Sequence, residues 1–262
     1  MRPLVMGVLN VTPDSFFDGG RYLDRSAAVA RGRAMVAEGA DIVDVGGEST
    51  RPGAGEVPLD DELDRVLPVV EALAGEVRVS IDTTKAEVAR QAVARGASMV
   101  NDVSASLAAV AAETGAAFVA MHRKGSPTTM QLDPHYEDVV AEVSAFLLER
   151  AKEAETLGVR EVWVDPGIGF GKTGRHNLEL LAHLGELIAL GWPVLVGTSR
   201  KTFLGRIAAG TLDGGGPPLP PEDRFEGSLA SAVWAMAQGA AAVRVHDVAA
   251  TAQAARLFGS SR

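Results

Sequence analysis

Eight short apolar runs alternate along the chain with longer stretches of helical spacing, and this alternation predicts a single closed (β/α)8 barrel with mobile loops at the C-terminal ends of its strands. Two further observations favour that class. The chain has 262 residues, the length of one such barrel, and no linker divides it, so residues 1–262 read as one domain. Polar residues that suit no apolar core recur at one place, the end of each run.

The runs read as strands are 4–9, 41–45, 77–81, 98–100, 117–121, 161–164, 194–196 and 242–245. Between them, 26–38, 59–73, 87–95 and 139–157 carry Ala, Leu and charged residues at helical spacing. Strands separated by helices imply parallel pairing with right-handed crossovers. A doubly wound open sheet is the alternative with the same pattern. One low-complexity stretch, GGGPPLPP at 214–221, opposes helix and strand alike and is expected to be an exposed, mobile loop of the seventh unit.

Hydrophobic residues make up 47% of the chain, which excludes a disordered polymer. The formal net charge of −9 argues against nonspecific binding to nucleic acid or to an acidic membrane surface, while leaving room for a locally basic pocket. The absence of cysteine excludes disulfides, a thiol nucleophile and thiolate metal sites. The opening MRPLVMGVLNVTPDSF lacks the apolar run and cleavage site of a signal peptide, and no apolar stretch reaches the roughly 18 residues of a membrane span. The expected setting is the cytoplasm.

The polar residues at the run ends are Asn10, then Glu48, Thr50 and Arg51, then Asp82, Asn101, His122, Asp165, and Ser199, Arg200 and Lys201, with Arg244 and His246 in the last run. In a parallel barrel all these ends open on one face, where active sites are built. Arg244 and His246 are two apart and so share a side, with Val243 and Val245 on the other. An Arg beside a His suits a phosphate, although such pairs also form surface salt bridges. Together with Asn10 and Arg51 at neighbouring ends, the leading reading is a phosphate or pyrophosphate site. Asp82, Asn101 and Asp165 offer the opposite chemistry: acceptors and donors for a flat, nitrogen-rich ring, or alternatively ligands for Mg²⁺. The segment DPGIGFGK is one residue short of a P-loop, and that match is rejected.

These segments carry a family resemblance. MGVLNVTPDSFFDGG and GADIVDVGGESTRPGA resemble the two signature segments of the dihydropteroate synthases, and the likeness continues in order through SIDTTK, NDVS, MHRKGSPTTMQ, DPGIGFGK, GTSRKTFLG, RFEGSLA and VRVHDV. Three features depart from the family pattern: Phe17 for the usual Ser, Ala105 for Gly, and the Gly/Pro-rich stretch.

The resemblance implies condensation of 6-hydroxymethyl-7,8-dihydropterin pyrophosphate with p-aminobenzoate to 7,8-dihydropteroate, by a dissociative path. It implies that Asp82, Asn101, Asp165 and Lys201 hold the pterin, with Met121 and Phe170 lining its slot. Pyrophosphate then meets Asn10, Thr50, Arg51, Arg244 and His246, and Asn10 also ligates a Mg²⁺ ion. The p-aminobenzoate lies against Lys201, Thr202 and Pro52, the position sulfonamides are expected to take. The catalytic set so implied is Lys201, Arg51, Asp82, Asp165, Arg244 and His246, in a homodimer pairing through the last helices. Two other readings share parts of this pattern. A methyltetrahydrofolate–corrinoid methyltransferase would grip a pterin similarly but has no use for the basic cluster. A noncatalytic pterin-binding homologue would be expected to lose Lys201, Arg244 or Asn10.

Overall fold

The computed structural model describes residues 2–12, 21–49, 55–126, 128–212, 214 and 216–259. In chain order the elements are β1 (Leu4–Asn10), α1 (Arg21–Glu38), β2 (Ile42–Gly46), α2 (Leu59–Leu73), β3 (Arg78–Asp82), α3 (Ala86–Ala94), β4 (Met99–Asp102), α4 (Ala108–Thr114) and β5 (Ala117–Met121). They continue with α5 (Val139–Thr156), β6 (Val162–Asp165), α6 (Gly174–Ala182), α7 (Leu184–Ile188), β7 (Leu195–Val196), α8 (Thr202–Ala208), α9 (Phe225–Gln238), β8 (Ala242–Val245) and α10 (Val248–Gly259).

The strands pair in parallel in the order β6-β5-β4-β3-β2-β1-β8-β7. A parallel bridge between Val164 and Val194 then joins the two ends of that order. This closure decides for the barrel over the open doubly wound sheet.

Strand periodicity sorts the core into two layers. Val5, Leu9, Val43, Val45, Val79, Ile81, Val100, Phe118, Val164, Val196, Val243 and Val245 face outward into one apolar layer under the helices. The alternate residues Met6, Ile42, Met99, Ala117, Val119, Trp163, Leu195 and Ala242 fill the barrel interior. This inner plug closes the lower barrel, so polar residues further along the same inner faces have only the upper mouth to face.

Local chemistry fixes several helix starts. Asp60, Asp61 and Glu62 lie in the first turn of α2, where the helix dipole favours negative charge. The Asp138 carboxylate accepts from the Ala141 N–H at 2.9 Å and caps α5. Thr173 and His176 form a reciprocal capping box on α6.

Two differences from the sequence-based expectations stand out. Helix α1 starts at Arg21, five residues before the helical spacing becomes visible at 26. The described part of the Gly/Pro-rich stretch has no α-helix or strand, but its last residue opens a short 3-10 helix over Pro221–Arg224, and it is not simply exposed. Leu219 N–H donates to the Gly205 carbonyl at 3.1 Å, and its own carbonyl accepts from Arg224 Nε at 2.7 Å, which docks this end on α8. The loop segments at 13–20 and 50–54, expected to be mobile, lie outside the described residues, as do Phe17, Thr50, Arg51 and Pro52.

The departure at Ala105 has a structural consequence. Its φ is 53°, in the left-handed region, within a turn held by the Asp102 carboxylate, which accepts the N–H groups of Ser104, Ser106 and Leu107 at 2.7, 2.6 and 2.8 Å. That conformation costs an L-residue about 1–2 kcal/mol, and glycine's larger unfolded-state freedom offsets about 0.5–1 of this. Ala105→Gly is therefore expected to stabilise the protein by about 0.5–1 kcal/mol. Urea unfolding measures it, and an unchanged or lower midpoint contradicts it.

Candidate active site

Strand register builds the floor of the site. Asn10 pairs with Gly46, Gly46 with Asp82 and Asp82 with Asn101, one rung across four adjacent strands. All four are inner-face positions just above the apolar plug. Gly46 leaves the middle of the rung without a side chain: a Cβ there would lie 3.5 Å from Asp82 Cβ and 3.8 Å from Asn10 Oδ1.

Two residues from the layer below reach into this rung. Asp44, fully buried, accepts from Asn101 Nδ2 at 3.0 Å and from Arg244 Nε at 2.6 Å. Arg244 also donates from Nη2 to Asp82 at 2.6 Å. One guanidinium thus serves two carboxylates. Burial, against the pull of Arg244 and with the help of the Asp44 charge, pushes the Asp82 carboxyl up to about 7. Burial works against charge on Arg244, but Asp44 and Asp82 outweigh it and hold the guanidinium charged. Asp44 Oδ1, Asp82 Oδ1 and Ser80 Oγ are buried without a hydrogen-bond partner among the described residues.

The opposite wall is the turn after β6. Asp165, buried and opposite Met121 in register, accepts the Gly167 N–H at 2.7 Å. Burial raises its pKa, opposed first by Lys201. Lys201 caps α8 and reaches across to donate to the Ile168 carbonyl, and its ammonium lies 4.5 Å from the centre of the half-buried Phe170 ring. Gly169 has φ 85°, and a Cβ there would press to 3.0 Å on Lys201 Cδ, so the turn must pass the lysine without a side chain. Burial lowers the Lys201 pKa to about 8, against the favourable charge of Asp165.

This lowered value has a kinetic consequence. If the ammonium is the working form, kcat/KM falls as pH rises through about 8. Lys201→Arg, whose guanidinium stays charged, should carry its residual activity through that range without the loss. An alkaline limb unchanged in Lys201→Arg would assign the limb to another group.

On β8 the structure regroups one expected pair. Arg244 and His246 do share the inner side, as the spacing predicts. The sequence reading put Arg244 with His246 and Asn10 in a basic cluster apart from Asp82 and Asn101. Arg244 instead lies within the carboxylate cluster, because Asp44 and Asp82 offer it two buried partners on neighbouring strands. His246 packs beside Ser199, with Nδ1 3.0 Å from Oγ, while its backbone N–H donates to the same oxygen at 3.1 Å. Thr202 is exposed at the first turn of α8.

The site is therefore a slot with carboxylates and an amide on one wall, and an ammonium and an aromatic ring on the other. A flat ring rich in N–H donors matches it. The pterin binding enzyme family model matches residues 6–246, which takes in every one of these strand ends. The chain belongs to the pterin-binding enzyme family.

Its relatives in this family include the dihydropteroate synthase of Mycobacterium leprae, 51% identical over 98% of this chain and 92% of the relative. The solved dihydropteroate synthase of Xanthomonas albilineans with 4-aminobenzoic acid superposes with a TM-score of 0.89 at 47% identity, covering 99% of this chain and 93% of that one. The Yersinia pestis dihydropteroate synthase in a sulfonamide drug complex gives 0.90 at 42% identity, over 100% of this chain and 94% of that one.

Around the site of this pterin-binding enzyme lie charged residues that local sequence pattern does not single out: Asp44, Lys172, Glu62 and Lys85. Asp44 was hidden inside the apolar run IVDVGG, yet it is two residues before Gly46 and so shares the inner face. Lys172 was read only as part of a rejected P-loop. Below the second loop, Lys85 donates to Glu48 and, at 2.6 Å, to the fully buried Glu62, which also accepts from Thr83 Oγ1 at 2.7 Å. Only the fold brings Lys85, in the connection after β3, to Glu48 in the connection after β2 and to Glu62 within α2.

Proposed function

We infer that this pterin-binding enzyme is a dihydropteroate synthase in activity, joining 6-hydroxymethyl-7,8-dihydropterin pyrophosphate to p-aminobenzoate with release of pyrophosphate. The observation that carries this reading is the two-walled slot. Asp82 and Asn101 face it from one side, and Asp165, Lys201 and Phe170 from the other. Formation of 7,8-dihydropteroate together with pyrophosphate when both substrates are supplied tests the reading; absence of either product contradicts it.

The pterin's amino and ring N–H groups would donate to Asp82 and Asp165, while Lys201 donates to its ring acceptors. Met121, inward beside Asp165, would line the slot with Phe170. Breaking the methylene C–O bond leaves positive charge on the ring, and the two carboxylates stabilise it, which favours a dissociative path. Arg244 acts at the ring end by holding Asp82 and Asp44 in place. Neutralising the pyrophosphate then falls to Asn10, His246, Thr50 and Arg51.

A magnesium ion fits this end. Mg²⁺ commonly keeps several waters and takes one or two protein oxygens together with substrate phosphates. The Asn10 amide oxygen, half-buried at the end of β1 beside Gly46, is a suitable single ligand. Among the described residues no group of three or more His, Asp or Glu forms a complete metal cage, consistent with a metal held largely by the substrate. When bound, the ion supplies positive charge to the leaving group.

The aryl amine would approach over Lys201, with its carboxylate near the exposed Thr202, and sulfonamides would occupy the same position; the family resemblance adds Pro52 to this set. Both substrates are charged metabolites, so the cytoplasm is the compartment this reading implies. A homodimer pairing through the last helices suits the exposed Trp234 and Phe225 of α9 and Leu257 of α10.

A further inference from the structure

Lys172 follows the turn that forms one wall of the slot, yet the chemistry above gives it no task. Its side chain is buried, with 2% exposure for the residue. Its Nζ lies 3.0 Å from the Gly167 carbonyl, 3.1 Å from the Phe170 carbonyl and 2.9 Å from His122 Nδ1, with the His122 carbonyl at 3.4 Å. These acceptors come from two segments, the turn after β6 and the end of β5.

The two segments lie directly against each other. Gly167 has φ 64°, and a Cβ there would fall 1.8 Å from the His122 carbonyl oxygen. No side chain can stand between them, so a donor for the carbonyls turned towards this seam must reach in from outside it. The Gly167 carbonyl already accepts the Phe170 N–H at 3.0 Å. Lys172 adds a second donor there and reaches the Phe170 and His122 carbonyls as well.

Ile168 lies between the two bonded carbonyls in sequence, and its own carbonyl accepts from Lys201. Phe170, whose ring lies under the same ammonium, is one of the residues Lys172 holds. Asp165 is tied to the turn through the Gly167 N–H. We propose that Lys172 is a positioning residue: by pinning residues 167–170 to the end of β5, it fixes the Ile168 carbonyl and Phe170 ring that place the Lys201 ammonium, and it steadies Asp165.

Met in place of Lys172 would fill much the same space at lower desolvation cost, so packing alone does not call for a lysine here. The charged or titratable groups around it are His122 and Lys124 from the β5 side, Asp165 and Lys201 across the slot, and His176 on α6. Burial lowers the Lys172 pKa to about 7, opposed by Asp165. Burial first, and then the charge of Lys172, lower His122 to about 3, so His122 stays neutral and can accept from the lysine.

The inference rests on Lys201 and Asp165 working as described above, and the experiment separates the two. Wild type, Lys172→Met and His122→Ala are compared for kcat, for KM of p-aminobenzoate and for the pH profile of kcat. In Lys172→Met, kcat is expected to fall roughly tenfold or more, because small displacements of an aligned group are costly. The KM of p-aminobenzoate changes by less than about threefold, since binding to the outer site survives. The alkaline limb moves to higher pH, as a loosened Lys201 regains solvent. His122→Ala, which removes the β5 anchor and keeps the lysine, shifts kcat and the limb in the same directions by less, and it carries the test if Lys172→Met does not fold. Wild-type kcat with an unmoved limb in either folded variant overturns the inference, and so does a uniform loss of rate with an unmoved limb. A wild type that releases no pyrophosphate overturns the functional reading itself.

Discussion

Lys201→Ala is expected to lower kcat by about two to three orders of magnitude, equivalent to about 2–4 kcal/mol of transition-state stabilisation, by analogy with deletion of a preorganised donor. The lysine's ammonium lies against the Ile168–Phe170 wall, and its burial makes each hydrogen bond to a ligand count for more. The fold should survive. Lys201 caps a seven-residue helix through its backbone, without a side-chain cap bond, and its half-buried ammonium holds one carbonyl. Steady-state kinetics with a melting curve decide the point. Near-normal kcat in a folded variant removes Lys201 from the catalytic set, and a collapsed melting temperature makes it structural.

Arg244→Met is expected to act in the opposite way, mainly through stability. The side chain is 21% exposed and is the hydrogen-bonded cation for two buried carboxylates. Removing one partner of a buried ion pair typically costs about 3–5 kcal/mol, because the remaining charge is stranded. Adding Asp44→Asn and Asp82→Asn to Arg244→Met should recover part of that loss, although activity stays absent. Denaturant midpoints for the single and triple variants measure this. A single variant as stable as wild type would mean that the carboxylates relax to other partners.

The barrel was legible because it depends on periodicities that survive in one sequence. Short apolar runs, helical spacing and polar residues at the run ends all point to a parallel barrel with one working face. Asp82, Asn101, Asp165 and Lys201 were visible because each breaks an apolar pattern where a strand ends. Asp44 was not, because it interrupts a run that continues as glycine and so reads as part of the strand. The true partners of Arg244 were equally hidden. Spacing gives the side of a strand on which a residue lies, and Arg244 does lie inward. It does not give the register between β8, β2 and β3, and register brought Asp44 and Asp82 to the guanidinium rather than leaving it beside His246. Lys172 needed a contact between two loops, which no local pattern encodes.

The unpaired oxygens on the floor of the slot have a bearing on how this protein would respond to selection. Asp44 Oδ1, Asp82 Oδ1 and Ser80 Oγ are buried without partners among the described residues, and each such group lowers the stability of the protein alone. A laboratory evolution run for heat resistance, with no pterin supplied, would favour substitutions that remove them, such as Ser80→Ala, or the joint replacement of Asp44, Asp82 and Arg244 by apolar residues. The joint replacement would be robust and inert. The same pressure applied in the presence of a pterin would protect these positions, because the ligand then supplies the missing donors and binding energy becomes folding energy. Stability of the free protein and binding of a pterin would then pull on the same few atoms in opposite directions.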